Sequence, residues 1–157
     1  MAWSLWLWWC SLRKSPETWA LLLGAAFAVY WTRRKKVMLS ENFSLDQLIE
    51  SKTARDNDLR NIPGPSAVEN LNRLAMTVLE PLRDAIGEFR ITSGFRTAEV
   101  NALLPQSVPN SKHISGRGLD IASDHYDAYQ LVGVIKSSRI PYTELIPYAD
   151  GHVHIAI

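Results

Sequence analysis

The sequence predicts an α+β domain, a small antiparallel sheet with helices packed on one face, preceded by an N-terminal hydrophobic helix. Three observations carry this. Apolar residues recur at helical spacing from Val68 to Ile86. The second half holds short apolar-alternating runs, two of them around Asp150-Gly151, a hairpin signal. Helical and strand patterns mix without a βαβ rhythm, which argues against a parallel sheet.

The first 37 residues read as a separate segment, and 38–157 as one domain. All six tryptophans lie in the first 31 residues, and Trp19 and Trp31 bracket a charge-free run from Ala20 to Tyr30. Arg33-Arg34-Lys35-Lys36 follow at once. Trp at both ends of an apolar run, then a basic cluster, is how a membrane helix meets its interfaces. The run is short: 13 residues make about 20 Å of helix against a core of about 30 Å. A short anchor, an export signal and an interfacial segment all fit. The basic cluster after the run leans toward a cytoplasmic body.

Charge is split along the chain. Residues 1–37 hold six Lys/Arg against one Asp/Glu, leaving eleven basic and fifteen acidic residues in 38–157. A mildly acidic body excludes nucleic acid as the expected partner, since phosphate binding needs a basic face. A single cysteine, Cys10, allows no internal disulfide. Cys10 follows Trp8-Trp9 and lacks the small residue expected before a lipid-modified cysteine.

Within the body, Ser44 and Gln47 form a capping box for a helix over 45–51. Asn61-Ile-Pro-Gly-Pro65 is a breaker cluster. Ser66 and Glu69 repeat the capping-box spacing before the main helix, which Pro81 should kink and Gly87 should end. Strands are predicted over 89–92, 119–122, 143–148 and 152–157. Helices are predicted over 97–104 and, capped by Ser123, over 124–137.

Three of the four histidines fall in two segments, Ser111-Lys-His113-Ile-Ser-Gly-Arg-Gly-Leu-Asp120 and His152-Val-His154. Strand side chains alternate faces. Val153, Ile155 and Ile157 then face a core, and His152, His154 and Ala156 the other side. Likewise Leu119 and Ile121 face the core, with Asp120 opposite, between the small residues Gly118 and Ala122. If these strands share a sheet, Asp120 and His154 meet on its open face. With His113 they make a two-nitrogen, one-oxygen set. Zinc takes such ligands, and three leave a fourth position for water, whose pKa the ion lowers toward ~7. The competing reading is a polar strand face and an ordinary loop histidine.

The pattern Ser111-x-His113-x-x-Gly116-x-x-x-Asp120 with a terminal His154, preceded by Ser93-Gly-Phe-Arg96, resembles the zinc D-Ala-D-Ala carboxypeptidase and endopeptidase family, peptidase M15, in its A-type branch. Leu39-Ser-Glu-Asn-Phe-Ser-Leu45 is similar to the opening of phage and bacterial members. The resemblance covers residues 39–157. It implies zinc held by His113, Asp120 and His154, and an arginine, Arg96, that binds a substrate carboxylate or carbonyl oxygen. Ser111 would support substrate binding. It also implies a zinc metallopeptidase acting on peptidoglycan stem peptides or cross-links at the bacterial cell wall, in remodelling or phage lysis. That enzyme is expected to be a monomer, anchored or exported through the N-terminal segment. A cell-wall site conflicts with the orientation read from the basic cluster.

Two positions depart from the family pattern. Members usually carry a small apolar residue such as Ala where Gly118 stands. Many also place a glutamate a few residues before the last zinc histidine, where this chain reads Tyr148-Ala-Asp150-Gly-His152-Val. His152, expected on the zinc face, is the favoured proton carrier. Asp150 is second, being also the expected turn residue, and Glu144 lies ten residues upstream. The His-x-His and His113…Asp120 pattern also looks like the zinc site of hedgehog signalling domains, which share the fold. The alternative function is therefore a catalytically inactive zinc-binding interaction module.

Overall fold

The computed structural model describes residues 36–105 and 107–157. Residues 1–35, on which the expected N-terminal hydrophobic helix falls, lie outside them. Residues 36–157 form one compact unit. Among the described residues no helix is long and apolar enough to cross a membrane.

The body opens with a turn that seats Phe43 in the core, its ring 5.7 Å from that of Phe89. Asn42 grips Glu80 through its backbone N–H and its amide, each at 2.8 Å. Ser44 then starts α1 (Leu45–Ile49), with its N–H and hydroxyl both donating to Gln47 Oε1 at 2.8 and 2.9 Å. The capping box is thus built as the spacing predicts, and the helix is shorter than expected. A second short helix, α2 (Lys52–Asp56), was not expected; Ser51 caps it by accepting from Ala54 N–H.

The main helix runs as α3 (Pro65–Leu74), a π-helical turn (Ala75–Leu79) and α4 (Glu80–Ile86). Its N-cap is Gly64, not Ser66. Pro65 takes the first helical position, where its missing N–H costs nothing and its fixed φ is already helical. Pro81 lacks the N–H that Thr77 C=O would receive, and its ring crowds that carbonyl. The chain accommodates this by widening the preceding turn, so that Glu80 N–H reaches back five residues to Ala75 C=O. Leu71, Leu74, Val78, Leu79 and Leu82 are fully buried along this helix, so its apolar stripe survives the change of pitch.

The sheet has four strands, all antiparallel, in the order β1 (Arg90–Ser93), β2 (Gly118–Ala122), β4 (Val153–Ala156), β3 (Glu144–Pro147). A bulge between Ile91 and Ser93 shifts the β1–β2 register. Pro147 ends β3 on the outer edge of the sheet, where a missing ladder donor is tolerated. Between β1 and β2 lies α5 (Ala98–Ala102), capped by Thr97. Between β2 and β3 lies α6 (Ala128–Ser137). Its cap is Asp127, four residues later than the expected Ser123, because Asp127 and Gln130 form a reciprocal capping box at 2.8 and 2.9 Å.

Leu119, Ile121, Val153 and Ile155 have no exposed surface and share one core with Leu48, Leu131, Ile135 and the main-helix leucines. Because faces alternate, the same strands aim Asp120 and His154 away from that core. The register makes Asp120 and His154 direct cross-strand partners. The fold is therefore α+β with helices on one face of the sheet, and the other face is left for chemistry.

Candidate metal centre

His113, Asp120 and His154 each offer one donor atom, and the three atoms lie within 4.8 Å of one another. His113 Nε2 is 3.2 Å from both His154 Nδ1 and Asp120 Oδ1, and His154 Nδ1 is 2.8 Å from the same carboxylate oxygen. His113 and His154 are buried, while Asp120 keeps 13% of its side chain exposed. Burial pushes the Asp120 carboxyl up. Hydrogen bonds from the two histidines, and their charge, outweigh this and hold it well below the usual carboxylate range.

Local structure explains the placement. Asp120 and His154 come from adjacent strands. His113 comes from the segment between α5 and β2, which is tightly folded. Lys112 C=O accepts from Arg117 and Gly118, His113 C=O from Arg96 and Gly116, and Ser111 Oγ from His113 N–H at 3.4 Å. Ser111 thus supports the backbone that presents His113, and it also lines the cleft. Gly116 has φ +70°, and a Cβ there would sit 2.6 Å from Ala67 C=O. At Gly118 a Cβ would meet Lys112 Cβ at 2.7 Å and His154 Cε1 at 3.0 Å. The departure from the family's usual Ala is therefore matched here by the close approach of a donor histidine's ring.

Arg96 stands beside the donors, Nη2 3.8 Å from Asp120 Oδ2, with 15% of its side chain exposed. Burial lowers its pKa from the ordinary guanidinium value, opposed by Asp120 and Tyr148. Its Nε is buried without a hydrogen-bond partner among the described residues. The backbone around it is held by Asn61, which sequence reasoning missed. The Asn61 amide donates to Ile49 C=O and Phe95 C=O at 2.8 Å, and its oxygen accepts from Thr97 N–H at 2.9 Å. Such a bracket needs both a donor and an acceptor on one side chain. Asn61→Asp should therefore be worse than Asn61→Ala, since a carboxylate would face two carbonyls. Urea denaturation is expected to show a loss of about 2 kcal/mol or more for the aspartate variant. Wild-type stability in Asn61→Asp would refute the bracket.

These groups lie in a cleft of about 700 Å³. Leu104, Pro105 and Val108 contribute apolar surface from the α5–β2 segment, and Ile146 and Tyr148 from the β3–β4 hairpin. Asp150 and His152 also line it. His152 was expected on β4; it sits instead at the end of the hairpin loop, its C=O receiving Tyr148 N–H at 2.9 Å. The loop is longer than a two-residue turn, with Gly151 at φ +95°. His152 stacks on Tyr148, ring centroids 4.3 Å apart, and its Nδ1 pairs with the Asp150 carboxylate. The two candidates for proton transfer are thus one coupled pair.

Two nitrogens, one oxygen and an opening onto a cleft make a donor set that could hold a metal ion, with room beside it for water and substrate. A family model described as Peptidase M15 matches residues 41–156, and the chain belongs to that family. Membership of that family implies a hydrolase. No curated protein and no solved structure matches the chain. The family's peptidases are zinc enzymes, and the donor set fits that ion. Both histidines direct one ring nitrogen into the triad, and each has an oxygen near the other: Gly94 C=O 2.7 Å from His113 Nδ1, and Glu144 Oε2 3.4 Å from His154 Nε2.

Proposed function

We propose that the chain is a zinc-dependent peptidase that cleaves peptidoglycan stem peptides or cross-links, of the D-Ala-D-Ala carboxypeptidase or endopeptidase type. The observation that carries this reading is a nearly buried His-Asp-His group in a cleft that also presents an arginine and a carboxylate-paired histidine. When bound, zinc supplies Lewis acidity, polarising the scissile carbonyl and acidifying the attacking water.

Each residue then has a defined task. His113, Asp120 and His154 hold the ion. Arg96 offers a charged donor at the same site, to pair with a substrate carboxylate or to stabilise the negative charge that develops on the carbonyl oxygen. Asp150 accepts from His152 Nδ1–H, which leaves Nε2 free to take a proton from water and return it to the leaving amine. The N-terminal segment would place the enzyme at the membrane, acting on the bacterial wall as a monomer.

The full chain with zinc should release D-Ala or open cross-links when incubated with purified muropeptides and followed by mass spectrometry. No product at full zinc occupancy on either class of muropeptide would sink the proposal. Within it, His152→Ala is expected to lower kcat by about 10²–10⁴-fold with zinc retained, the usual share of general acid–base catalysis. An unchanged kcat in that variant would remove His152 from the reaction.

A further inference from the structure

We propose that Glu144 is a positioning residue for the metal site: its carboxylate holds the outer nitrogen of His154 and is itself held by Lys112. This rests on the reading of His154 as a metal ligand given above.

The placement follows from the sheet. In the β3–β4 pairing Ile146 lies opposite His154 and Glu144 opposite Ala156. Glu144 is therefore the diagonal neighbour of His154 on the same face, a spacing that a long side chain spans. Its two oxygens divide their partners. Oε2 stands 3.4 Å from His154 Nε2, and Oε1 stands 3.8 Å from Lys112 Nζ. His154 Nδ1 points the other way, to Asp120 and His113. With a metal bound, an acceptor beside Nε2 would favour the tautomer protonated there, leaving the Nδ1 lone pair available as a donor, and would raise the basicity of the ring. Gly94 C=O occupies the equivalent position on His113. Both donor histidines therefore have an oxygen at the nitrogen turned away from the triad, one from backbone and one from this carboxylate.

Lys112 gives the arrangement a second function. It directly precedes His113, and its C=O anchors Arg117 and Gly118 at the entry to β2. The Lys112–Glu144 pair thus ties the segment carrying one ligand to the strand beside the other. The two side chains are 37% and 40% exposed, so the ion pair itself contributes little to folding stability. Metal affinity and folding can therefore be separated by experiment.

The test uses the full chain, stripped of metal, with zinc affinity measured by competition against a chromophoric chelator. Glu144→Ala is expected to bind zinc about 10–100-fold more weakly than wild type. Its metal-free melting temperature should be unchanged. Glu144→Gln, which keeps an acceptor oxygen, should recover part of the loss, and cobalt substituted for zinc should give an altered absorption band in the alanine variant. Zinc affinity of Glu144→Ala within about threefold of wild type overturns the proposal. So does a loss of affinity that comes with an equal loss of metal-free stability and no recovery in Glu144→Gln. If wild type binds no zinc and His154→Ala changes nothing, the metal site itself falls, and this inference with it.

Discussion

His154→Ala is expected to abolish peptide hydrolysis and to release the metal. Lewis acidity contributes several kcal/mol to such reactions, and every 1.36 kcal/mol is tenfold, so the loss should exceed about 10³-fold. The variant removes one of three donors, and two protein ligands make a poor zinc site. It also removes the donor 2.8 Å from Asp120, leaving that carboxylate with His113 and Arg96 in a largely buried setting. Metal analysis should show substoichiometric zinc, and mass spectrometry of digested muropeptides should show no product. A chelator should bring wild type to the same state, and added zinc should restore wild type but not the variant. Turnover by His154→Ala comparable to wild type would exclude the His-Asp-His group as the reaction centre.

Gly94→Ala is expected to damage both the fold and the site. A Cβ at Gly94 would lie 2.0 Å from the Leu48 carbonyl oxygen, 2.8 Å from its carbon and 3.1 Å from its Cα. All three are backbone atoms, so no flexible side chain can yield. Either the end of α1 or the turn after β1 must move. Either movement disrupts the 2.7 Å bond from Phe95 N–H to Leu48 C=O, and movement of the turn also displaces the Gly94 carbonyl from His113 Nδ1. The cost should reach about 3 kcal/mol or more, at the upper end of single substitutions. For a chain of this size that is a fall in Tm of roughly 10 °C. Gly133→Ala, inside α6, is the control, since a Cβ there meets nothing within 4 Å. Circular dichroism melts of the two variants decide the matter; equal melting temperatures would mean that the close approach at Gly94 does not constrain the protein.

The parts of the fold set by period and spacing could be read before any coordinates. The apolar stripe from Val68 to Ile86, the alternation in 119–122 and 153–157, and the capping box at Ser44 all took the form their chemistry dictates. The same alternation placed Asp120 and His154 on the open face, because strand geometry leaves only two sides. What could not be read depends on partners distant in sequence or on competing local signals. Pro65 overrode Ser66 as the start of the main helix. Asp127 overrode Ser123 because its own capping partner, Gln130, was in place. Pro81 distorted the helix as expected of an internal proline, but the form of that distortion, a widened π-helical turn, was not specified by the spacing. Glu144 was passed over because ten residues separate it from His154, although the register brings the two side chains together. Asn61 carried no signal beyond its place in a breaker cluster, since its three partners come from Ile49, Phe95 and Thr97.

The strand order has a consequence for how the protein comes into being. β4 comes after β1, β2 and β3 in the chain, yet it lies between β2 and β3 and carries His154. Its pairing with β3 is a local hairpin, but its pairing with β2 spans α6 and β3, and closing such a long separation is slow. A chain truncated before Val153 keeps only the β1–β2 ladder, leaves β3 unpaired, and has two of the three donors. On the reading proposed above, hydrolysis would therefore wait on the pairing of β4. The strand that completes the donor set is thus the same one that closes the sheet, so assembly of the fold and of the site are a single event.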